Sequence, residues 1–153
     1  MPWPVPEPKF SALSPDSQRK LLAHFLGELC KHLTGLLMTR TQAAYKLTAR
    51  LARRRLRGDI NENDIEQAKL EIKTCQSEFR KQRIRSPEVK VGLTALQAMS
   101  ATVESLGSRD SRERRYAACA AICDSLSLLK ASEALDRLRG YFEKVMKREG
   151  KKE

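Results

Sequence analysis

The chain has 153 residues, of which 41% are hydrophobic and 32% are charged, and its formal net charge is +11. This length and apolar content are enough for one compact core, which excludes a wholly disordered chain and a fold that depends on disulfides or metals. Aromatic residues make up only 5% of the chain, and good helix formers such as Ala, Leu, Arg, Lys and Glu dominate, so an all-α fold is predicted.

The start of the chain carries prolines at positions 2, 4, 6 and 8. Proline lacks an amide donor and favours polyproline II, so residues 1–13 are predicted to form a Pro-rich N-terminal arm. Trp3 and Phe10 are expected to pin this arm to the body, with anchoring of a partner by Trp3 as the alternative. No leader pattern or transmembrane stretch is recognisable, and a cytoplasmic location is therefore predicted.

Residues 14–147 are predicted to form a single-domain bundle of five or six antiparallel helices, because the apolar spacing is helical and the intervening loops are short. Ser14-Pro15-Asp16 combines an N-cap, a first-turn proline and an acid, so helix 1 is expected to begin there and to extend to about residue 37. Helix 2 is expected from Arg40 to Arg57, followed by Gly58 as a helix-ending residue.

The middle of the chain contains two further helix starts. Asn63 with Glu66 three residues later is typical of a capping box and predicts the start of helix 3. Ser86-Pro87-Glu88 repeats the arrangement of cap, proline and acid, and it predicts the start of helix 4.

Asp110 with Glu113 predicts the start of helix 5. No proline or glycine lies between Ser111 and Arg139, so a sixth helix either begins at Ser132 or continues helix 5. Residues 148–153 are polar and are predicted to form a basic C-terminal tail.

Four cysteines occupy apolar positions of the predicted helices: Cys30, Cys75, Cys119 and Cys123. Their spacing is not that of a disulfide framework, so buried reduced thiols are expected. A metal site made by Cys119 and Cys123 with His24 and His32 is the alternative. It is disfavoured because zinc sites usually draw on close ligand pairs from turns, and no metal or other cofactor is predicted.

Known catalytic signatures are missing from the sequence, including a phosphate-binding loop after a strand, a nucleophile elbow and a His-Glu-x-x-His motif. A non-catalytic protein is therefore predicted.

Helix 2 carries the most specific charge pattern. Between Arg40 and Gly58 there are seven basic residues and no acid. At about 100° per residue, one sector of the helix collects Lys46, Arg50, Arg53 and Arg57, with Arg54 beside it. The opposite side collects the apolar residues Ala44, Leu47, Leu51 and Leu56. One cationic face and one core face are expected.

Two other basic clusters lie at helix ends. The first contains Lys81, Arg83 and Arg85, and the second contains Arg109, Arg112, Arg114 and Arg115. The full candidate set for nucleic-acid contact is Arg40, Lys46, Arg50, Arg53, Arg54, Arg57, Lys81, Arg83, Arg85, Arg112 and Arg115. The alternative is that the helix 2 cations pair with the acidic start of helix 3, which comprises Asp59, Glu62, Asp64, Glu66 and Glu71.

A net charge of this size predicts an anionic partner, and nucleic acid, an acidic protein and an anionic membrane surface all have the required sign. The first hypothesis is a binding or scaffold subunit whose basic helix face contacts nucleic-acid backbone, with RNA or a ribonucleoprotein favoured. The alternative is a protein-interaction module of the inhibitor, immunity or adaptor type, which binds through an apolar groove or the N-terminal arm. The sequence does not predict an oligomeric state.

Leu47 to Gly58, followed by Asp59 to Ile65, looks like the helix, glycine turn and acidic helix start of some bacterial helical immunity proteins. Size, helicity and charge also look like those of small helical subunits of RNA-guided complexes. Neither resemblance assigns a role to any residue of this chain.

Overall fold

The computed structural model describes residues 7–33, 39–58, 60–81, 87–107 and 110–152. In these ranges it contains seven helices and no strand. The helices are α1 (Glu7–Ser11), α2 (Pro15–Leu33), α3 (Thr39–Arg55), α4 (Glu62–Arg80), α5 (Pro87–Glu104), α6 (Arg112–Leu128) and α7 (Ser132–Lys152). The all-α prediction is confirmed, but the count differs from five or six because a short helix occupies part of the predicted arm.

α2 lies at the centre of the bundle, where it packs against α3, α6 and α7. α5 is a second centre and contacts α3, α4 and α6, while α1 packs on α6. Within the described ranges, no helix combines the length and hydropathy needed to span a bilayer.

The N-terminal segment departs from the predicted extended arm. Residues Glu7–Ser11 form α1, which accommodates Pro8 because the first turn of a helix has no use for its missing N–H. Phe10 is 1% exposed, and its ring centroid lies 5.5 Å from that of Tyr116 on α6. Phe10 therefore pins this segment to the body as expected, whereas Trp3 falls outside the described residues.

Two predicted N-caps are wrong by one or two residues. α4 is capped by Asn61 rather than Asn63, and the Asn61 side chain accepts a hydrogen bond from the Asn63 backbone N–H at 2.9 Å. α6 is capped by Ser111, whose hydroxyl oxygen accepts from the Arg114 N–H at 3.2 Å. Asp110 is not the cap because its carboxylate pairs with arginines instead.

α6 and α7 are separate helices, which decides the alternative that the sequence left open. Lys130 adopts a left-handed φ of 56° after the last turn of α6. The Lys130 N–H donates to Ser127 and the Ala131 N–H donates to Leu126, both at 3.0 Å, which is the Schellman pattern of a helix end. Glycine usually occupies this left-handed position at the end of a helix, but here lysine does. The sequence therefore gave no sign that α6 ends at this point.

The apolar face of α4 is buried along its whole length. Its members Ile65, Ala68, Ile72, Cys75 and Phe79 are all at most 5% exposed. α5 approaches closely at Gly92, where a Cβ would lie 2.6 Å from the Phe79 ring. The close packing of α4 on α5 therefore requires glycine at this position.

The start of α2 contacts the C-terminal part of α7. The Ser14 hydroxyl donates to Glu149 Oε1 at 2.6 Å, and the Ser17 hydroxyl donates to the same oxygen. Glu149 belongs to α7, which continues to Lys152 through the predicted tail. A carboxylate beside the N-terminus of α2 is also favoured by the helix dipole.

Candidate functional site

The basic face predicted for helix 2 is a surface of α3. We call five exposed cations of α3 and of the turn after it the α3 basic face: Lys46, Arg50, Arg53, Arg54 and Arg57. Of the residues predicted for the opposite side, Ala44 and Leu51 are buried and Leu47 is half-buried. Thr48 is also buried there, and its hydroxyl donates to the Ala44 carbonyl at 2.9 Å. Leu56, predicted to be in the core, is 41% exposed, because α3 ends at Arg55 and residues 56–58 form a turn.

The predicted alternative, in which the acids of α4 neutralise these cations, applies to one pair in the described ranges. Arg54 Nη1 lies 3.4 Å from Asp64 Oδ2, and the two side chains are 53% and 36% exposed. An ion pair with this exposure contributes little binding energy. Glu66 pairs with Lys69 within α4, and Asp59 lies outside the described residues.

The remaining members of the α3 basic face have no carboxylate partner in the part of the chain that the structure describes. The side chains of Lys46, Arg50 and Arg57 make neither an ion pair nor a hydrogen bond there. Arg53 Nε donates only to the Ala49 carbonyl of the preceding turn, at 3.4 Å. These four cations are therefore open to an external anion.

A second group of arginines is engaged inside the protein. Asp110 is 9% exposed and accepts from Arg19 Nη2 at 2.7 Å and from Arg115 Nη1. Arg55 Nη2 lies 3.9 Å from the same carboxylate. We call these four residues the Asp110 junction, which joins α2, α3 and α6 around one carboxylate.

Gln18 completes this polar region, where Arg115 is only 8% exposed at its side chain. Arg115 Nε donates to Gln18 Oε1 at 2.8 Å, and Gln18 Nε2 donates to the carbonyls of Phe10 and Leu13 at 2.9 and 3.1 Å. Each of these donors and acceptors therefore has a hydrogen-bond partner inside the fold. Burial removes Arg115 from the predicted surface set, because a guanidinium held in this way does not reach a phosphate.

Two of the other predicted cations, Arg112 and Lys81, lie on the described surface. Arg112 is exposed and pairs with its neighbour Glu113 at the start of α6. The contact between Arg55 and Asp110 holds this end of α6 near the end of α3. Lys81 is exposed at the far end of α4, about 27 Å along the helix from the α3–α4 turn. Arg83, Arg85 and the side chain of Arg40 lie outside the described residues.

A cleft of about 320 Å³ opens beside the α3 basic face, between α2, α3 and α7. Arg53 of α3 and Leu56 of the turn after it line one side, and α2 contributes a stripe that includes Lys20 and Lys31. Gly27 lies in the middle of that stripe, where a Cβ would have no other atom within 4 Å. We call this feature the α2–α7 cleft; its floor is open and its rim is cationic.

Two aromatic rings stack at one wall of this cleft. His24 of α2 and Tyr141 of α7 have centroids 3.8 Å apart and planes inclined by 12°. Desolvation of the imidazole lowers the pKa of His24 below its ordinary value, although the nearby Glu28 carboxylate opposes this. A neutral imidazole is thereby favoured, which suits stacking of planar rings.

Glu28 is a buried carboxylate at the edge of the cleft, with a side chain that is 5% exposed. It accepts from Arg137 Nη2 at 3.1 Å and lies 3.7 Å from Lys31 Nζ. Burial alone would raise the pKa of Glu28, but the hydrogen bond and charge of Arg137 outweigh it and lower the pKa. Glu28 is therefore ionised, and the cleft lining carries three cations against one carboxylate.

Apart from Arg53, the cleft residues were missing from the predicted site, although a signal for part of them exists. Lys20, His24, Gly27 and Lys31 follow the spacing i, i+4, i+7 and i+11, which places them in one sector of α2. Lys46, Arg50, Arg53 and Arg57 repeat the same spacing along α3 and the turn after it. Tyr141 had no such signal, because only the packing of α7 on α2 brings it to His24.

The cysteines are buried or half-buried free thiols. Burial raises the pKa of Cys30 to about 12, and it also raises the pKa values of Cys119 and Cys123. Protonated thiols are poor metal ligands. Among the described residues, no group of three or more His, Cys, Asp or Glu side chains is arranged to hold a metal ion.

Comparisons of this chain with protein-family models, with curated proteins and with solved structures found no match. The function is therefore inferred from the surface itself.

Proposed function

We propose that this protein is a non-catalytic subunit that binds the phosphate backbone of nucleic acid, with RNA or a ribonucleoprotein as the favoured partner. The observation that carries the proposal is the absence of carboxylate partners for Lys46, Arg50, Arg53 and Arg57 within the described ranges. Unmatched cations in one row attract a polyanion, and binding releases the counterions condensed on it.

The geometry of the row suits a repeating anion. From Lys46 to Arg54 the basic face spans about 12 Å along the axis of α3, and Arg57 follows in the turn after the helix. On α3, Lys46, Arg50 and Arg53 recur every three or four residues, with Cβ atoms about 5–6 Å apart. Arginine presents a planar fork of donors to phosphate oxygens, so several residues of the row are able to contact successive phosphates without reading bases.

The test is the salt dependence of binding to RNA and to heparin, measured by fluorescence anisotropy between low and physiological ionic strength. A triple variant that reverses three charges of the basic face is expected to weaken binding more than about tenfold. It combines Arg50→Glu, Arg53→Glu and Arg57→Glu. It is also expected to reduce the slope of log K against log salt by about 2 on single strands.

A matched control keeps the change in net charge the same. Lys73, Lys90 and Arg139 are exposed cations on α4, α5 and α7 and do not belong to the α3 basic face. The control variant combines Lys73→Glu, Lys90→Glu and Arg139→Glu. It is expected to reduce the affinity for RNA and heparin far less than the first triple variant does. Equal loss in both triple variants would mean that net charge, and not the α3 basic face, drives binding, and the proposal would be wrong.

The test also separates nucleic acid from the other anionic partners. Wild-type protein that binds anionic vesicles or an acidic protein, but neither RNA nor heparin, would contradict the proposal. Purification from the native host with and without nuclease gives the corresponding cellular measurement, because a partner held through RNA is lost on nuclease treatment.

A further inference from the structure

We infer that the α2–α7 cleft receives an unstacked base of single-stranded nucleic acid while the α3 basic face holds the adjoining phosphates. This inference rests on the proposed function and names its substrate class. Backbone contacts alone would fit single and double strands alike. The cleft offers something that only a single strand is free to use, a recess with an aromatic wall beside a row of cations.

The position of Arg53 links the two features. This residue belongs to the α3 basic face and also lines the cleft. A phosphate held by Arg53 would therefore place its own nucleotide at the cleft mouth. Lys20 and Lys31 flank the same opening from α2, and the Lys31 side chain is 75% exposed. The backbone of an entering nucleotide would meet cations on both sides of the cleft.

The interior of the cleft has the chemistry of a base site. Tyr141 and His24 are already stacked at 3.8 Å, and a planar base beside them would extend the stack. The open floor at Gly27 leaves space where any other residue would place a side chain. Leu56, exposed at 41%, adds an apolar surface that a base would cover.

Gly27 and Gly140 are helical glycines at which an added Cβ would meet no atom within 4 Å, and of these two only Gly27 lines the cleft. Gly27 lies inside α2 and costs helix stability relative to alanine, yet no neighbouring atom would be displaced by a Cβ. Gly92 differs, because a Cβ there would strike the Phe79 ring. Open space above Gly27 is what a ligand in the cleft requires.

The test uses the full chain and three probes of about 12 nucleotides, a length within the range that such sites cover. These are single-stranded RNA, duplex RNA and an abasic ribose-phosphate oligomer. Wild-type protein is expected to bind the single strand about tenfold more tightly than the abasic oligomer. Single-stranded DNA of the same sequence serves as a fourth probe and shows whether the ribose contributes.

Gly27→Leu fills the recess without removing a charge, and Tyr141→Leu removes the aromatic wall. Each variant is expected to abolish the preference for the single strand while the affinity for the abasic oligomer stays the same. Gly140→Leu is the matched control, because Gly140 is also a helical glycine with open space around it but does not line the cleft. It is expected to keep the preference.

The outcomes separate this inference from the proposed function. Equal binding of single-stranded and abasic probes by wild-type protein, or an undiminished preference in Gly27→Leu, would overturn the base site and leave backbone binding intact. Wild-type protein that binds none of the probes at low salt would overturn both. Circular dichroism and thermal unfolding of each variant confirm that the loss does not come from unfolding.

Discussion

Arginines in adjacent positions of one helix have opposite roles in this protein. Arg55 is 17% exposed and lies beside Asp110, a carboxylate that Arg19 and Arg115 also contact. Arg54, the preceding residue, is 53% exposed and has a single exposed partner. A guanidinium in the Asp110 junction holds helices together, whereas one on the α3 basic face is open to an external anion. The capacity to bind an anion therefore depends on which cations the fold leaves unmatched, and the number of arginines does not measure it.

The largest effect is expected from breaking the Asp110 junction. Asp110→Ala leaves Arg115 buried without its carboxylate, and an uncompensated buried charge costs about 3–5 kcal/mol of unfolding free energy. Urea denaturation followed by circular dichroism measures the loss. Asp124→Ala is the control, since Asp124 is exposed on the same helix α6, and it is expected to change stability by less than about 0.5 kcal/mol. Equal stability of the two variants would remove the contrast between the junction and the surface.

Gln18 tests the neutral part of the same region. Gln18→Leu leaves two backbone carbonyls and the Arg115 Nε donor without their partner, and we expect a loss of about 2–3 kcal/mol. Gln97→Leu on the exposed surface of α5 is the control. If Gln18→Leu were as stable as its control, the polar contacts of the N-terminal segment would not contribute to the fold. Thermal unfolding of both variants provides the comparison.

Glu28 is intermediate between the two regions, because its carboxylate is buried while Arg137 is 52% exposed. Glu28→Gln is expected to lower the unfolding free energy by about 1–2 kcal/mol at neutral pH. The substitution removes the negative charge of the group that accepts the hydrogen bond from Arg137. The pKa of Glu28 is lowered in the folded protein, so its contribution is complete above its ordinary value of 4.5. The contribution is then lost as the pH falls through the lowered value.

Urea denaturation at several pH values between 7 and 3 checks the pH dependence. The difference between wild type and Glu28→Gln should shrink at the acidic end, where the wild-type carboxyl becomes neutral. Glu143→Gln, an exposed substitution on α7, is expected to show no such trend. A difference in unfolding free energy that does not change with pH would contradict an ion pair between Glu28 and Arg137.

The fold was predictable from the sequence wherever the apolar spacing was regular. The buried face of α4 and the cap-proline start of α2 follow from local patterns. The prediction failed where a long-range contact decided the outcome. Asp110 has the residue type of an N-cap, but Arg19 is 91 positions away in sequence and binds its carboxylate, so Ser111 caps the helix instead.

The candidate site was predictable to a similar extent and for the same reason. The amphipathic pattern of α3 placed Lys46, Arg50 and Arg53 on one exposed face, because that pattern is local. It gave no information on Arg115, whose burial depends on α2 and α6 meeting, nor on the cleft, which requires Tyr141 from α7. Periodicity predicts which side of one helix is polar, but not which polar side chains of different helices meet.

The smallest stability effect is expected on the α3 basic face, and it completes the contrast. Arg50→Gln with Arg57→Gln removes two cations that have no partner within the described ranges, so the unfolding free energy should change by no more than about 0.5 kcal/mol. RNA affinity should nevertheless fall, because the two residues contribute to the charge presented to the backbone. Arg115→Gln should do the reverse and lower stability while sparing the affinity of the molecules that remain folded. Urea denaturation and anisotropy on the same samples test both statements, and a double variant as unstable as Arg115→Gln would mean that the surface arginines support the fold rather than bind a ligand.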